Sequence, residues 1–298
     1  MITVFTPTYN RANYLKNLYE SLLKQTSKDF EWVIVDDGST DNTFEIISNL
    51  IEEEKIKIVF EKKENEGKHI AINKGAKLAS GELFFTVDSD DVLTDNALER
   101  IQYHWNKIQE LPINERDQFI GLSANRMYPN GEVIGGKVLE QIIDADLLEF
   151  RFKMHIKGDK AEVYKTEVVR NNPFPQIDGE NFCPEALIFY RLAERGYKLR
   201  YFNENIYIGE YLEGGLTNSG LKIVKNNPSI TAISYADIVN FNKVPFLYKL
   251  KYSILYWRFT AWNKKISFFK KIKLLKNPFY FVTYPIGFLL FLKDKQNN

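Results

Sequence analysis

Three carboxylates fall within four residues at Asp88-Ser89-Asp90-Asp91. Carboxylates this close raise one another's pKa unless a cation sits among them. Their oxygens suit a hard divalent ion, Mg²⁺ or Mn²⁺, that also holds a substrate phosphate. The preceding run, Leu83 to Val87, is apolar, ends β-branched and follows Gly81. It reads as a buried strand of a parallel sheet. The carboxyl end of such a strand is where an open α/β sheet puts its ligand crevice. A solvated acidic turn capping the next helix would use the same residues. A second acidic pair, Asp36-Asp37, follows the apolar run Phe30 to Val35. Strand ends on one edge of a sheet converge on one crevice.

These clusters need elements to hold them. Ile2 to Thr6 reads as a strand stopped by Pro7, with Asn10 or Asn13 placed to cap a helix running to about Gln25. Leu15, Leu18, Leu22 and Leu23 repeat at helical spacing. The spacing predicts a helix from Asn42 to Glu54, with Phe44, Ile47 and Leu50 or Ile51 inward. A strand Ile56 to Phe60 and a helix Ile70 to Leu78 follow. Four strand–helix alternations in so short a span mean a parallel, right-handed, doubly wound sheet. Thr94 or Asp95 is placed to cap a helix to Gln109, with Leu98, Ile101, Tyr103 and Trp105 inward. Phe119 to Asn125 and Glu132 to Ile134 read as a strand pair around Tyr128-Pro129-Asn130-Gly131. Leu139 to Phe150, Glu185 to Arg195 and Ile230 to Phe241 read as helices, and Tyr201 to Glu210 as two short strands.

Composition narrows the function classes. A chain of 298 residues, 44% hydrophobic and 27% charged, is an ordinary folded protein of one large domain or two small ones. A net charge of +1 gives no global field that recruits nucleic acid. Cys183 is the only cysteine, which excludes an intrachain disulfide and fits a reducing compartment. The N-terminus has no charged and then apolar leader, so no secretory signal is expected. Neither a P-loop nor a Gly-x-Gly-x-x-Gly turn follows the first strand, which argues against a P-loop kinase or a dehydrogenase.

Several motifs stand in one register: Pro7-Thr8-Tyr9-Asn10-Arg11, Gln25-Thr26, Val35 to Asp41, Asn65-x-Gly67, Ala71-x-Asn73-x-Gly75, Gly81 and Asp88 to Asp91. Over about the first hundred residues their order and spacing resemble the family 2 glycosyltransferases with the GT-A fold, of the bacterial surface-polysaccharide type. The resemblance implies an α/β, GT-A-like (Rossmann-like) fold, a mostly parallel sheet flanked by helices. It implies a nucleotide-sugar donor, a UDP-sugar first. Pro7, Thr8 and Tyr9 would line the nucleoside. Asp37 would accept from a base N–H, or serve as a plain helix cap. Lys68 would reach the donor, or stay a solvated loop lysine. Asp88 would lie near the ribose, Ser89 would bind the donor, and Asp90 with Asp88 would hold Mn²⁺ or Mg²⁺. Farther on, Arg191 to Tyr197 resembles the end of the helix that follows the family's Glu-Asp pair. That register puts Glu185 at the catalytic base, with Pro184 where the Glu is usual. Glu185 would equally serve as a first-turn acid, and Glu180 and Asp178 are alternatives. The implied reaction is transfer of a hexose or N-acetylhexosamine to the hydroxyl of a glycan or lipid-linked glycan, with inversion. A nucleotidyltransferase would need a Gly-rich phosphate loop that is missing. An inactive sugar-nucleotide-binding scaffold would not need Asp88, Asp90 and Asp91 intact.

Residues 1–220 are expected to form the catalytic domain, 1–110 as its nucleotide-sugar half and 111–220 as its acceptor half. The glycine-rich stretch Tyr211 to Gly220 suits a lid or a bare connector. Residues 221–298 are expected to form a C-terminal helical extension. From Phe246 to Lys276 aromatic and basic residues interleave, and Pro278 to Leu292 is uncharged and mostly apolar. Fifteen helical residues reach about 22 Å, short of the ~30 Å hydrocarbon core, and Pro285 and Gly287 would disturb a span. Such a segment suits an interfacial element or a helical pack on the catalytic domain. The expected place is the cytoplasm, with a peripheral contact at the inner face of the membrane. No RNA-binding motif accompanies the basic patch.

Overall fold

The computed structural model of the chain describes residues 1–136, 141–210 and 220–296. Two units emerge. The first takes residues 1–146, 156–174 and 196–210; the second takes 147–155, 175–195 and 211–298.

In the first unit, strands β1 (Ile2–Thr8), β2 (Phe30–Asp36), β3 (Ile58–Lys62) and β4 (Leu83–Thr86) alternate with helices α1 (Ala12–Leu23), α2 (Thr43–Glu52) and α3 (Lys68–Leu78). β1 pairs in parallel with β2 and β4, and β2 with β3. β1 and β2 are buried at every position, as strands covered on both faces must be. After them come β5 (Val92–Leu93), α4 (Ala97–Gln109), the single turn α5 (Ile113–Arg116), β6 (Phe119–Met127), β7 (Ile143–Ala145), β8 (Lys160–Lys165), α6 (Thr166–Asn171) and, later in the chain, β9 (Lys198–Ile208). The sheet runs β3-β2-β1-β4-β8-β6-β9-β5, with β7 on β9. β8 lies antiparallel between β4 and β6, so the parallel half and the later half share one mixed sheet.

The core joins Leu15, Leu18 and Leu22 of α1 to Trp32, Phe85 and Trp105. Several glycines and amides of the sequence motifs serve this packing. A Cβ on Gly75 would stand 2.1 Å from the Phe5 ring, so α3 can lie this close to β1 only with glycine there. Asn73 clasps Phe174, accepting from its N–H and donating to its carbonyl, both at 2.8 Å. Gln25 donates to the Thr94 carbonyl (2.8 Å) and accepts from Leu98 N–H (3.1 Å). Gln25, rather than Thr94 or Asp95, therefore satisfies an orphan donor in the first turn of α4. The start of α1 is served in the same way. Neither Asn10 nor Asn13 caps it; Asp41 accepts from Ala12 N–H at 3.3 Å.

Other local expectations need correcting. Phe44 is exposed rather than inward, resting on the Phe60 ring at 5.8 Å, because Thr43, Ile47 and Leu50 set the buried stripe of α2. Tyr103 also falls off its helix's stripe and lies under the Arg100 guanidinium at 4.4 Å. Of the expected helix only the end, residues 147–150, is helical, running into a π-helical turn at Glu149–Lys153; residues 141–146 are not. Ile143–Ala145 is a strand on β9, fastened by a two-pronged Arg200–Asp144 ion pair at 2.8 and 2.7 Å. The open edge of β9 outweighs helical periodicity there. The start of that expected helix, residues 139–140, lies outside the described residues. The hairpin around residues 128–131 closes with a single bridge, Met127 to Val133, since β8 and β9 occupy both sides of β6. Residues 201–208 belong to one long strand. Its pairing with β6 shifts register near Asn205, which gives the sequence its look of two short strands.

The second unit is helical: α7 (Ala186–Glu194), α8 (Gly220–Asn226), α9 (Pro228–Asn240), α10 (Phe246–Thr260), α11 (Phe268–Leu274), a 3₁₀ turn (Pro278–Thr283) and α12 (Tyr284–Gln296). Its core gathers Ala232, Ala236 and Val239 of α9 around Tyr256, Trp257, Leu275 and Tyr280. The Trp257 indole donates to the Tyr280 carbonyl at 3.1 Å. A Cβ on Gly287 would stand 2.5 Å from Trp257 Cβ, so α12 crosses α10 closely there. Among the described residues no helix is long and apolar enough to cross a membrane.

Candidate active site

In the first unit the carboxyl ends of β1, β2 and β4 carry the motif residues. Two of these ends are tied together. Asn10, at φ +52°, donates from its N–H to Ser39 Oγ (2.8 Å) and accepts from Thr40 N–H (2.8 Å). Asp37 N–H donates to the Thr8 carbonyl at 2.8 Å.

Asp37 is buried. Its Oδ1 accepts from Lys63 Nζ and from Glu66 N–H (3.0 Å), and its Oδ2 from Gly67 N–H (2.9 Å). It thereby folds the loop that leads into α3. A carboxylate oxygen accepts two hydrogen bonds, so Oδ2 keeps room for one more donor. Asp36 Oδ1 holds Ser39 through its N–H and its hydroxyl. Among the described residues three buried polar atoms here have no hydrogen-bond partner: Thr8 Oγ1, Asp36 Oδ2 and His69 Nδ1. Each such atom costs roughly 1–3 kcal/mol, and such atoms in a native fold call for a water or a ligand. Burial holds the His69 imidazole below its ordinary pKa. Pro7 is buried beside Thr8, while Tyr9 is exposed.

The acidic cluster after β4 is divided by its partners. Lys68 Nζ stands 2.7 Å from Asp88 Oδ1. Burial works to raise the Asp88 carboxyl, but Lys68 and Arg126 outweigh it and hold it below the usual range. Asp90 faces Arg11 Nε at 3.8 Å. Ser89 is buried. Asp91 is also buried, and its Oδ2 takes Arg126 (2.6 Å) and the Tyr207 hydroxyl (2.6 Å). Burial pushes its pKa up to about 7, with Arg126 pulling the other way. Tyr207 also accepts from Asp88 N–H at 2.9 Å, and Arg126 lies 4.0 Å over its ring. A Cβ on Gly209 would stand 2.1 Å from Asp91 Oδ1, so glycine leaves the space Asp91 fills. Sequence reasoning did not nominate Arg126, Tyr207 or Gly209. The signal present was one arginine near the end of β6, the only charged residue of that strand.

The second unit holds the remaining nominees. Glu185 is the N-cap residue of α7, half-buried. Glu180 is buried, and its two oxygens accept from Ser229 N–H (2.7 Å) and Ile230 N–H (2.9 Å), so it caps α9. Asp178 is exposed. The glycine-rich stretch at 211–219 lies outside the described residues.

The family model described as glycosyl transferase family 2 matches residues 3–131. The glycosyltransferase GlyG of Streptococcus pneumoniae is 28% identical over 232 residues, 72% of this chain and 72% of that protein. Two solved structures share the fold. S. aureus TarS in complex with UDP-GlcNAc superposes with a TM-score of 0.64 at 18% identity, over 96% of this chain and 79% of that one. The mannosyltransferase PcManGT of Pyrobaculum calidifontis, with GDP-Man and Mn²⁺, gives 0.57 at 16% identity, over 97% and 84%. Residues 3–131 thus match the family 2 glycosyltransferase model, and the sheet they help to build has the GT-A-like fold of these two structures.

Proposed function

We propose that the protein transfers a hexosyl or N-acetylhexosaminyl group from a nucleotide sugar, a UDP-sugar, to an acceptor hydroxyl in surface-polysaccharide biosynthesis, with inversion at the anomeric carbon. The observation that carries this reading is the polar cradle of the first unit. Unpartnered Thr8 and His69 atoms and an open lone pair on Asp37 lie at the same sheet edge as the Asp88–Lys68 pair. Pro7, Thr8 and Tyr9 would line the nucleoside, with Asp37 Oδ2 accepting from a base N–H. TarS, solved with UDP-GlcNAc, supports a UDP donor.

The carboxylates fit a divalent ion that a substrate helps to hold. Among the described residues no group of three His, Cys, Asp or Glu side chains is placed to hold one. Small hard ions often take one or two carboxylates and complete their shell with substrate phosphate and water. Asp88 and Asp90 offer that number, and Asp91 is committed to Arg126. Bound there, Mn²⁺ or Mg²⁺ would neutralise charge on the leaving diphosphate. Lys68 would add its charge on the donor side, and Ser89 would bind the donor.

Glu185 would take the proton of the acceptor hydroxyl as the sugar bond breaks. Glu180 is the weaker nominee, since the α9 N-terminus occupies both its oxygens. The acceptor would be a glycan or lipid-linked glycan, met at the inner face of the membrane by a cytoplasmic enzyme. The test is a binding screen of nucleotide sugars with and without Mn²⁺ or Mg²⁺. Metal-dependent affinity for one nucleoside diphosphate sugar supports the reading; affinity for none overturns it.

A further inference from the structure

The C-terminal helices carry an apolar surface on their outside. Among the described residues, eleven of the twenty-one exposed large hydrophobic side chains lie between Phe246 and Leu292. Phe269 is 78% exposed, Leu247 76%, Leu289 65% and Val282 63%. A soluble surface scatters such residues singly; here the rings run on continuously. Phe269 touches Phe268, Phe268 touches Phe281 and Tyr284, and Tyr284 touches Phe288.

α12 is inverted relative to a water-facing helix. Its inward residues include Gly287 and Asp294, and Asp294 is held by the two prongs of Arg258 at 2.7 Å each. Its outward residues include Ile286, Phe288, Leu289 and Leu292. A helix that turns its ion pair inward and its leucines outward is shaped for an apolar surrounding. Among the described residues no helix is long and apolar enough to span a bilayer, which leaves the interface.

Charge names the partner. From residue 245 to the end, eleven Lys and Arg stand against Asp294 alone, a local charge of +10. The chain as a whole has +1, so the remaining residues sum to −9. Lys270, Lys273 and Lys276 are exposed on and just after α11, beside Phe269. Lysine beside exposed aromatic and aliphatic side chains matches an anionic headgroup layer over acyl chains.

We propose that α11, the 3₁₀ turn and α12 form a membrane-docking face that lies in the interface of an anionic bilayer, inserting Phe269, Val282 and Leu289 and setting the lysines among the headgroups. This deepens the membrane partner proposed above, and its test does not depend on donor chemistry. Full-length protein is sedimented with vesicles of phosphatidylcholine alone, or of equal parts phosphatidylcholine and phosphatidylglycerol, at low and high salt. The expected result is pelleting with the anionic vesicles, weakened by salt. F269E/L289E, changed only at exposed positions, should lower the partition about tenfold or more while circular dichroism and UDP binding stay as in wild type. K270E/K273E should lower it with anionic vesicles alone. Equal binding to both vesicle types overturns the anionic assignment. Wild type left in the supernatant overturns the docking face, and a dimer dissolved by F269E/L289E would assign the surface to a second copy of the chain. Loss of UDP binding in wild type would instead count against the donor reading and leave this one standing.

Discussion

Tyr207→Phe tests whether the DSDD loop is set from behind. The tyrosine hydroxyl makes two buried hydrogen bonds, accepting from Asp88 N–H at 2.9 Å and donating to Asp91 at 2.6 Å. A hydrogen bond to a charged group contributes about 1.5–3 kcal/mol, and a buried N–H left without a partner costs about 1–3 kcal/mol. Phenylalanine fills the same volume without a cavity, so the expected loss is about 3 kcal/mol. It should appear as a lower urea midpoint with unchanged slope. Arg126 still holds Asp91 in this variant, so the fold should survive while the Asp88 backbone loses its tether. Donor affinity should then fall several-fold, read by UDP titration in the presence of Mn²⁺. A double-mutant cycle with Arg126→Gln should give a coupling energy of about 1 kcal/mol or more, as contacting residues do. A midpoint shift worth less than about 0.5 kcal/mol, the scale of an ordinary surface change, together with unaltered UDP affinity, would refute the reasoning.

Three further outcomes are expected. Glu185→Gln should keep donor affinity and lower transfer by roughly two to four orders of magnitude. Glu180→Gln should chiefly lower stability, by about 1 kcal/mol through the α9 cap; transfer lost in Glu180→Gln alone would move the base there. Asp90→Asn should abolish metal-enhanced UDP binding and leave the unfolding midpoint unchanged, and equal Mn²⁺ enhancement in the variant would remove Asp90 from the metal. The buried Glu31 carboxylate supplies a pH signature. Burial works against it, but Lys57, Ser80 and Thr3 together hold it down to about 2 from 4.5. Its folded pKa is depressed, so its contribution of roughly 3 kcal/mol is present above pH 4.5 and fades as pH falls towards 2. The stability gap between wild type and Glu31→Gln should narrow over that window; a gap constant with pH would contradict it.

The parallel half of the sheet was legible because each strand is a short continuous apolar run and each crossover helix repeats its leucines or isoleucines. How the carboxylates are partnered was less so. Asp88, Asp90 and Asp91 look equivalent in the chain, yet Arg126 and Tyr207 arrive from β6 and β9 and remove Asp91 from the crevice. Asp37 looked like a ligand or a cap, and it fastens the loop before α3 while keeping one open lone pair. Residues 143–145 misled because their partner strand lies more than fifty residues downstream; local periodicity carries no record of that. The hydrophobic tail read ambiguously between packing and membrane contact. The structure gives it a packed core around Trp257 and, on the other faces of the same helices, bare rings.

The cap on α1 bears on the order in which the chain can assemble as it leaves the ribosome. Asp41 closes the start of α1 from 29 residues downstream, and with its other oxygen it binds Thr43 at the start of α2. A nascent chain ending before residue 41 has both β1 and α1 but no way to finish the helix. An isolated helix of 12 residues is marginal in water, so α1 should fray until β2 and the turn after it emerge. One aspartate thus makes the first strand, helix, strand and helix settle as a single cooperative event rather than in sequence. Hydrogen exchange on stalled nascent chains should show α1 amides protected only once Asp41 is outside the tunnel, and Asp41→Ala should delay that protection further.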